Sequence, residues 1–209
     1  ASLLDFNRIF DAVEIRANLR NTVVSTDDLA YFSASLGSYH SLITANMPVS
    51  GTLSNLKASG AQLAVDQTLS FQGDLRIRGL PVIDETWFDV DLRPLQANMP
   101  GLNEQLGGVL PSQITELGQV EFKGKYTGFI YDFVVYGQME STIGSLNTDI
   151  RMQYDPDAGN THYSGSIATE ELNAGLLAGL DDMLGTVSLV ATVEGNSSPG
   201  KNDLVLSSQ

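Results

Sequence analysis

Few residues of this chain have the type and spacing that chemistry needs. Asp89-Val90-Asp91 sets two carboxylates two residues apart, the Asp-x-Asp arrangement that holds a divalent cation against a diphosphate in sugar-transferring enzymes. Residues two apart on a strand share a face, and the same spacing arises wherever a strand turns its polar side to water. The motif therefore reads as a solvated strand. Asp155-Pro156-Asp157-Ala158-Gly159 hints at a calcium loop, yet its glycine falls one place early for the EF-hand pattern and the downstream glutamate is absent, so a hairpin turn is expected. His40 and His162 are the only imidazoles, far apart and without a Gly-x-Ser-x-Gly elbow, which leaves a hydrolase triad unsupported. The glycine-rich stretches lack the following lysine and the strand-to-helix setting of a phosphate loop. The expectation is a protein that is not an enzyme, with no catalytic residue, metal or cofactor.

The elements that would position any site are strands. In Leu69–Leu80 the residues Leu69, Phe71, Leu75 and Ile77 share one face with Gly73 and Gly79, while Gln72, Asp74, Arg76 and Arg78 take the other. A period of two means one dry and one wet face. A glycine on the dry face permits a bend, a bulge or the close approach of another group. Trp87 to Pro94 alternates likewise, with Phe88, Val90 and Leu92 opposite Trp87, Asp89, Asp91 and Arg93. Further strands are expected over 42–53, 56–65, 119–126, 130–141, 144–154, 161–168, 187–193 and 203–206, with two or three short ones before Val24. Eleven residues at about 3.4 Å each span roughly 35 Å, long for a compact sandwich. Three short helices interrupt them: one capped by Thr26 and running to Gly37, one from Pro100 to Pro111 weakened by Gly107 and Gly108, and one capped by Thr169 with Leu172, Leu176, Leu177 and Leu180 on one side. Gly51–Ala58, Gly124–Tyr131 and, loosely, Gly195–Val205 share one plan of strand glycine, turn and new strand, which suggests hairpins that extend by stacking. The fold class is mostly β, a long curved antiparallel sheet with short helical insertions, forming one segment over 1–209.

Composition narrows the partners. The chain has 209 residues, 42% of them hydrophobic, enough for a sizeable buried face. A net charge of -14, from 11 basic and 25 acidic residues, argues against nucleic acid or an anionic membrane surface as the main partner. With no cysteine there is no disulfide framework. No apolar run approaches the 18 or so residues of a membrane span, so an anchor or export signal would lie outside the chain. Both ends read as cuts through strands of a longer protein.

The succession GTLSNLKA, LSFQGDLRIRGLP, TWFDVDLRPL, LGQVEFKGKYTGFIYDFVVYGQMESTIGSLNTDIRM and YSGSIATEELNAGLLAG resembles an internal segment of TamB-like translocation and assembly module proteins, in the AsmA-like group, and most of all the large Bacteroidetes versions. The likeness runs from about residue 3 to 195, carried by patterning and short phrases. It implies a periplasmic protein, anchored in the inner membrane outside this segment, whose sheet folds into a taco-shaped apolar groove that conducts phospholipid toward the outer membrane. It also implies a possible partner in an outer-membrane barrel protein. A physical argument stands beside it: an acyl chain gains about 0.8 kcal/mol per buried CH₂, so an apolar trough holds a lipid tail without specific polar contacts. The candidate lining residues are Phe71, Leu75, Ile77, Phe88, Val90, Leu92, Val120, Phe122, Phe133, Val135, Ile150, Val187 and Leu189. The bland alternative is that they form a closed core.

Two other functions stay open. One is an interaction scaffold that binds a chain by strand addition at its edges or through Phe129, Tyr131, Phe133 and Tyr136; the same edges would let an isolated segment self-associate. The other is a carbohydrate surface with Trp87, Tyr126, Tyr131 and Tyr136 as stacking platforms, favoured if those rings face water.

Overall fold

The structure is a computed structural model that describes residues 12–30, 40–108, 110–178, 185–198 and 201–208. Among them run eleven strands: β1 Ile15–Ser25, β2 Leu42–Thr52, β3 Asn55–Val65, β4 Leu69–Arg78, β5 Trp87–Asn98, β6 Gln119–Gly128, β7 Asp132–Ser141, β8 Gly144–Asp155, β9 Asn160–Asn173, β10 Thr186–Ser198 and β11 Lys201–Ser208. They form one antiparallel sheet in strict chain order, a meander in which β1 and β11 are the two edges. This is the long curved sheet that the alternation predicts.

Because every connection turns the chain back, odd-to-even links gather at one end of the strands and even-to-odd links at the other. The four α-helices of the described residues all lie at the first end: α1 Thr26–Leu29, α2 Met99–Gln105, α3 Ser112–Thr115 and α4 Ala174–Ala178. A 3-10 turn, Ile83–Glu85, lies at the second. α2 is tied back to the turn between β3 and β4, where Gln105 Nε2 donates to Asp66 Oδ2 at 2.7 Å and the Thr68 hydroxyl donates to Gln105 Oε1. α2 touches α3, and α3 touches α4, so the helices line one rim of the sheet.

The helix expectations need correction. Ser25, not Thr26, caps α1, accepting from the Asp27 N–H at 3.1 Å, and residues 31–39 lie outside the described region. The expected helix over 100–111 is split in two: left-handed Gly107 and Gly108 end α2, and α3 starts after Pro111. Thr169, Glu170, Glu171 and Leu172 are strand, because the ladder to β10 holds them through Thr169↔Leu189 and Val187↔Leu172; the helix begins only at Ala174, with Asn173 Oδ1 accepting from the Leu176 N–H.

The repeat is also differently phased. Gly51, next to last in β2, and Gly128, last in β6, lie at the same rim, each with a left-handed φ (117° and 143°), whereas Gly124 sits four residues deeper. Four strands carry extra residues. The pairing register shifts at Arg20-Asn21 on β1, Ser59-Gly60 on β3, Arg93-Pro94 on β5 and Glu170-Glu171 on β9. Such bulges bend and twist a strand, and the first three fall along one line across alternate strands. Along the same line β6 and β7 keep register through the facing pair Gly124↔Gly137.

Candidate functional site

The register places every candidate lining residue on one face. Leu75, Val90, Tyr126, Val135 and Ile150 form one row from β4 to β8, and Ile77, Phe88, Gly128, Phe133 and Met152 form the next. Phe71 faces Leu95, which faces Phe122; Leu92 faces Gly73 and Gly124; Val120 faces Ala97. Val187 and Leu189 extend the face onto β10. The opposite face carries Arg76, Asp89, Lys125 and Arg151, as the alternation predicts.

Sequence reasoning missed a share of this face. Leu95 belongs to it, but three residues separate it from Leu92 because the Arg93-Pro94 bulge breaks the period of two. Ala58 and Ala61, 6% and 0% exposed, are the closest-packed positions with Phe71, and the Ser59-Gly60 bulge hides them in the same way. The signal that could have found them is the pair of turn-type residues, Ser59-Gly60 and Arg93-Pro94, inside otherwise apolar runs.

Aromatic rings smooth the face where glycine leaves gaps. A Cβ built on Gly73 would stand 3.0 Å from the Phe71 ring, and one on Gly137 would stand 2.8 Å from the Phe122 ring. Each ring therefore lies over bare backbone of the neighbouring row, a device that stabilises glycine in sheets. Tyr126 stacks on Phe133 with centroids 4.8 Å apart, and its hydroxyl donates to the Phe129 carbonyl at 2.9 Å. Burial raises its pKa.

No second layer covers this face among the described residues. Each strand's substantial contacts are with its ladder neighbours and with the rim helices. The chain exposes 12992 Å², against about 9,400 Å² for a compact monomer of 22.4 kDa. The best-buried apolar positions outside the Phe71 cluster include Ala97, Leu117, Val120 and Leu172, at the helix-bearing rim. The chain is thus a single curved layer with one apolar surface, and the patch around Phe71, drawn from β2 to β5, is its densest part.

The polar face is laced with ion pairs. Arg93 reaches both Asp74 and Asp91, Lys125 Nζ lies 3.1 Å from Asp89, and Lys123 Nζ lies 2.5 Å from Glu121. Asp89 and Asp91 are therefore engaged by cations of their own sheet, as a solvated strand face requires, and no group of three or more metal-ligating side chains occurs among the described residues. Asp155 accepts the N–H groups of Asp157 and Ala158, the hairpin turn expected there. His40 and His162 bond to Asp27 and Asn196 respectively, each near its own strand end.

The proposed aromatic cluster does not exist as one unit, because alternation divides it. Phe133 is on the apolar face, Tyr136 is half exposed on the polar face, and Phe129 and Tyr131 occupy the turn between β6 and β7. Phe129 packs edge-on against Trp87 at 5.1 Å, and Tyr131 tilts against Tyr154 at 5.7 Å. The four proposed sugar platforms are divided in the same way, with Tyr126 turned to the apolar side.

Compared with models of protein families, with curated proteins and with solved structures, the chain matches none. Its own geometry carries the functional argument.

Proposed function

We propose that this chain is a segment of a periplasmic, TamB-like protein of the AsmA-like group, anchored in the inner membrane elsewhere in its length, whose apolar sheet face binds phospholipid acyl chains and passes them toward the outer membrane. The observation that carries this reading is one continuous apolar face across the strands with no second layer over it. A folding core explains such a surface poorly, since a face left open gains only part of its burial. A lipid tail supplies the missing layer without any polar contact, at about 0.8 kcal/mol per buried CH₂. The reading invokes no catalytic chemistry.

Native mass spectrometry and lipid extraction of the purified chain test it. Phospholipid is expected to accompany the wild type and to be absent from folded Phe88→Glu and Phe122→Glu variants. A well-folded wild type free of lipid would end this reading and favour a second one, for which the edges of β1 and β11, unpaired among the described residues, speak: a scaffold that binds an outer-membrane barrel protein or another chain by strand addition.

A further inference from the structure

On the polar face, opposite the surface assigned to lipid and independent of that reading, we propose a binding site for a phosphate group, formed by Lys57 on β3 with Arg76 and Arg78 on β4, the last of these set beside Trp87 on β5. Three observations meet there. The first is register: Lys57 stands directly across the ladder from Arg76, with Arg78 next along the same side of β4. Like charges directly opposite each other weaken a strand pair.

The second is the pairing of the surrounding carboxylates. Asp74 and Asp91 are both held by Arg93, and Asp89, which faces Arg76 across β5, turns its carboxylate to Lys125 Nζ at 3.1 Å. Among the described residues, Lys57, Arg76 and Arg78 are left without a carboxylate in ion-pair range. That is conspicuous in a chain with 25 acidic and 11 basic residues, where spare anions abound. The third is shape. Lys57 and Arg76 share a shallow depression of about 240 Å³ with Asp74, Asp89, Asp91 and Lys125, and Arg78 carries its guanidinium carbon 6.0 Å from the Trp87 ring centroid.

An arginine fork with a nearby ammonium suits phosphate oxygens, which accept paired charge-assisted hydrogen bonds. Asp74, Asp89 and Asp91 also line the depression, and their charges are offset by Arg93 and Lys125. The phosphate belongs either to a soluble molecule or to a lipid headgroup, and the two sources are separable by experiment.

Trp87 is the only tryptophan, so its emission reports on the site. The whole chain is titrated at low ionic strength with inorganic phosphate and, separately, with phosphatidylglycerol vesicles against phosphatidylcholine vesicles, with calorimetry read in parallel in case the fluorophore is silent. Saturable binding of either probe is expected. Lys57→Gln/Arg76→Gln should weaken it at least about tenfold, the loss of one or two charged hydrogen bonds. Lys123→Gln/Arg151→Gln makes the same change in net charge away from the site and should leave affinity within about twofold, as screened distant charges do. Response to free phosphate assigns a soluble ligand, and response to phosphatidylglycerol alone assigns a headgroup. The Lys57→Gln/Arg76→Gln variant should melt no lower than the wild type, because it removes a repulsive pair. Absence of saturable binding to both probes, or equal losses in the two double variants, would overturn the site.

Discussion

At Phe122 the ring lies over the backbone of Gly124 and Gly137, where built Cβ atoms would stand 3.0 and 2.8 Å from ring carbons. The glycines are thus not loose joints on the apolar face but the floor on which aromatic rings rest. Gly137→Val would set its Cβ against the Lys123 carbonyl oxygen and, at 2.7 Å, the Gly124 Cα, as well as the Phe122 ring, and should destabilise the sheet by at least about 1–3 kcal/mol, the usual cost of overpacking. A urea midpoint unchanged from wild type would refute that. Phe71, 7% exposed in the densest patch, should cost about 3 kcal/mol on truncation to alanine, near the low end for buried phenylalanines because one side of the layer is open. The glycines on the apolar face were legible from alternation alone. Which ring covers which glycine was not, since that depends on the neighbouring strands' register.

At the scale of elements, three of the four bulges share one device. The extra residue's amide is taken by a side chain of the adjacent strand: Asn21 N–H by Asn46 Oδ1 at 2.7 Å, Gly60 N–H by Asp74 Oδ1 at 2.7 Å, and Glu171 N–H by Ser188 Oγ at 3.0 Å. At the fourth, Pro94 has no amide to satisfy. The bond from the Gly60 N–H is the main cause that lowers the Asp74 pKa, opposed by desolvation and reinforced by Arg93. Asp132 is lowered chiefly by Arg151, with help from Gln153. Carboxylates with depressed folded pKa values contribute stability above their unfolded value and lose it as pH falls through the folded one. Stability should therefore decline below about pH 4, where free carboxylates begin to protonate. Asp74→Ala should be less stable at neutral pH and should show a shallower acid decline than wild type; identical pH profiles would count against the bulge-capping role. The turn-type residues inside strands hinted at these bulges, but the side chain that caps each one comes from a strand up to 25 residues away.

At the scale of the molecule, a meander in chain order makes each strand depend on its two sheet neighbours alone. Stability is then close to a sum of nearest-neighbour terms, as in repeat proteins. Amide exchange should be slowest in β4 to β8 and fastest in the edge strands β1 and β11, in a graded profile. Uniform protection across all strands would show a closed, globally cooperative core instead. The contacts are local in sequence, which also favours rapid folding for a sheet of this size.

The sequence by itself determined the class of the fold, the strands from β2 to β8 to within a few residues, and the apolar face wherever no bulge interrupts a strand, because a period of two assigns each side chain to a side whatever the strand is paired with. Only the tertiary structure decided that the apolar face lies open, that the aromatic cluster is divided between two faces and a turn, and that residues 169–172 continue a strand instead of starting a helix. The physical reason is the same in each case: local propensity and periodicity act within one strand, whereas layering, register and the choice between strand and helix depend on hydrogen bonds and packing from a neighbouring strand. At Thr169 the hydroxyl that would cap a helix instead donates to the Val187 carbonyl and accepts from the Leu189 amide, and the ladder to β10 prevails over the capping signal.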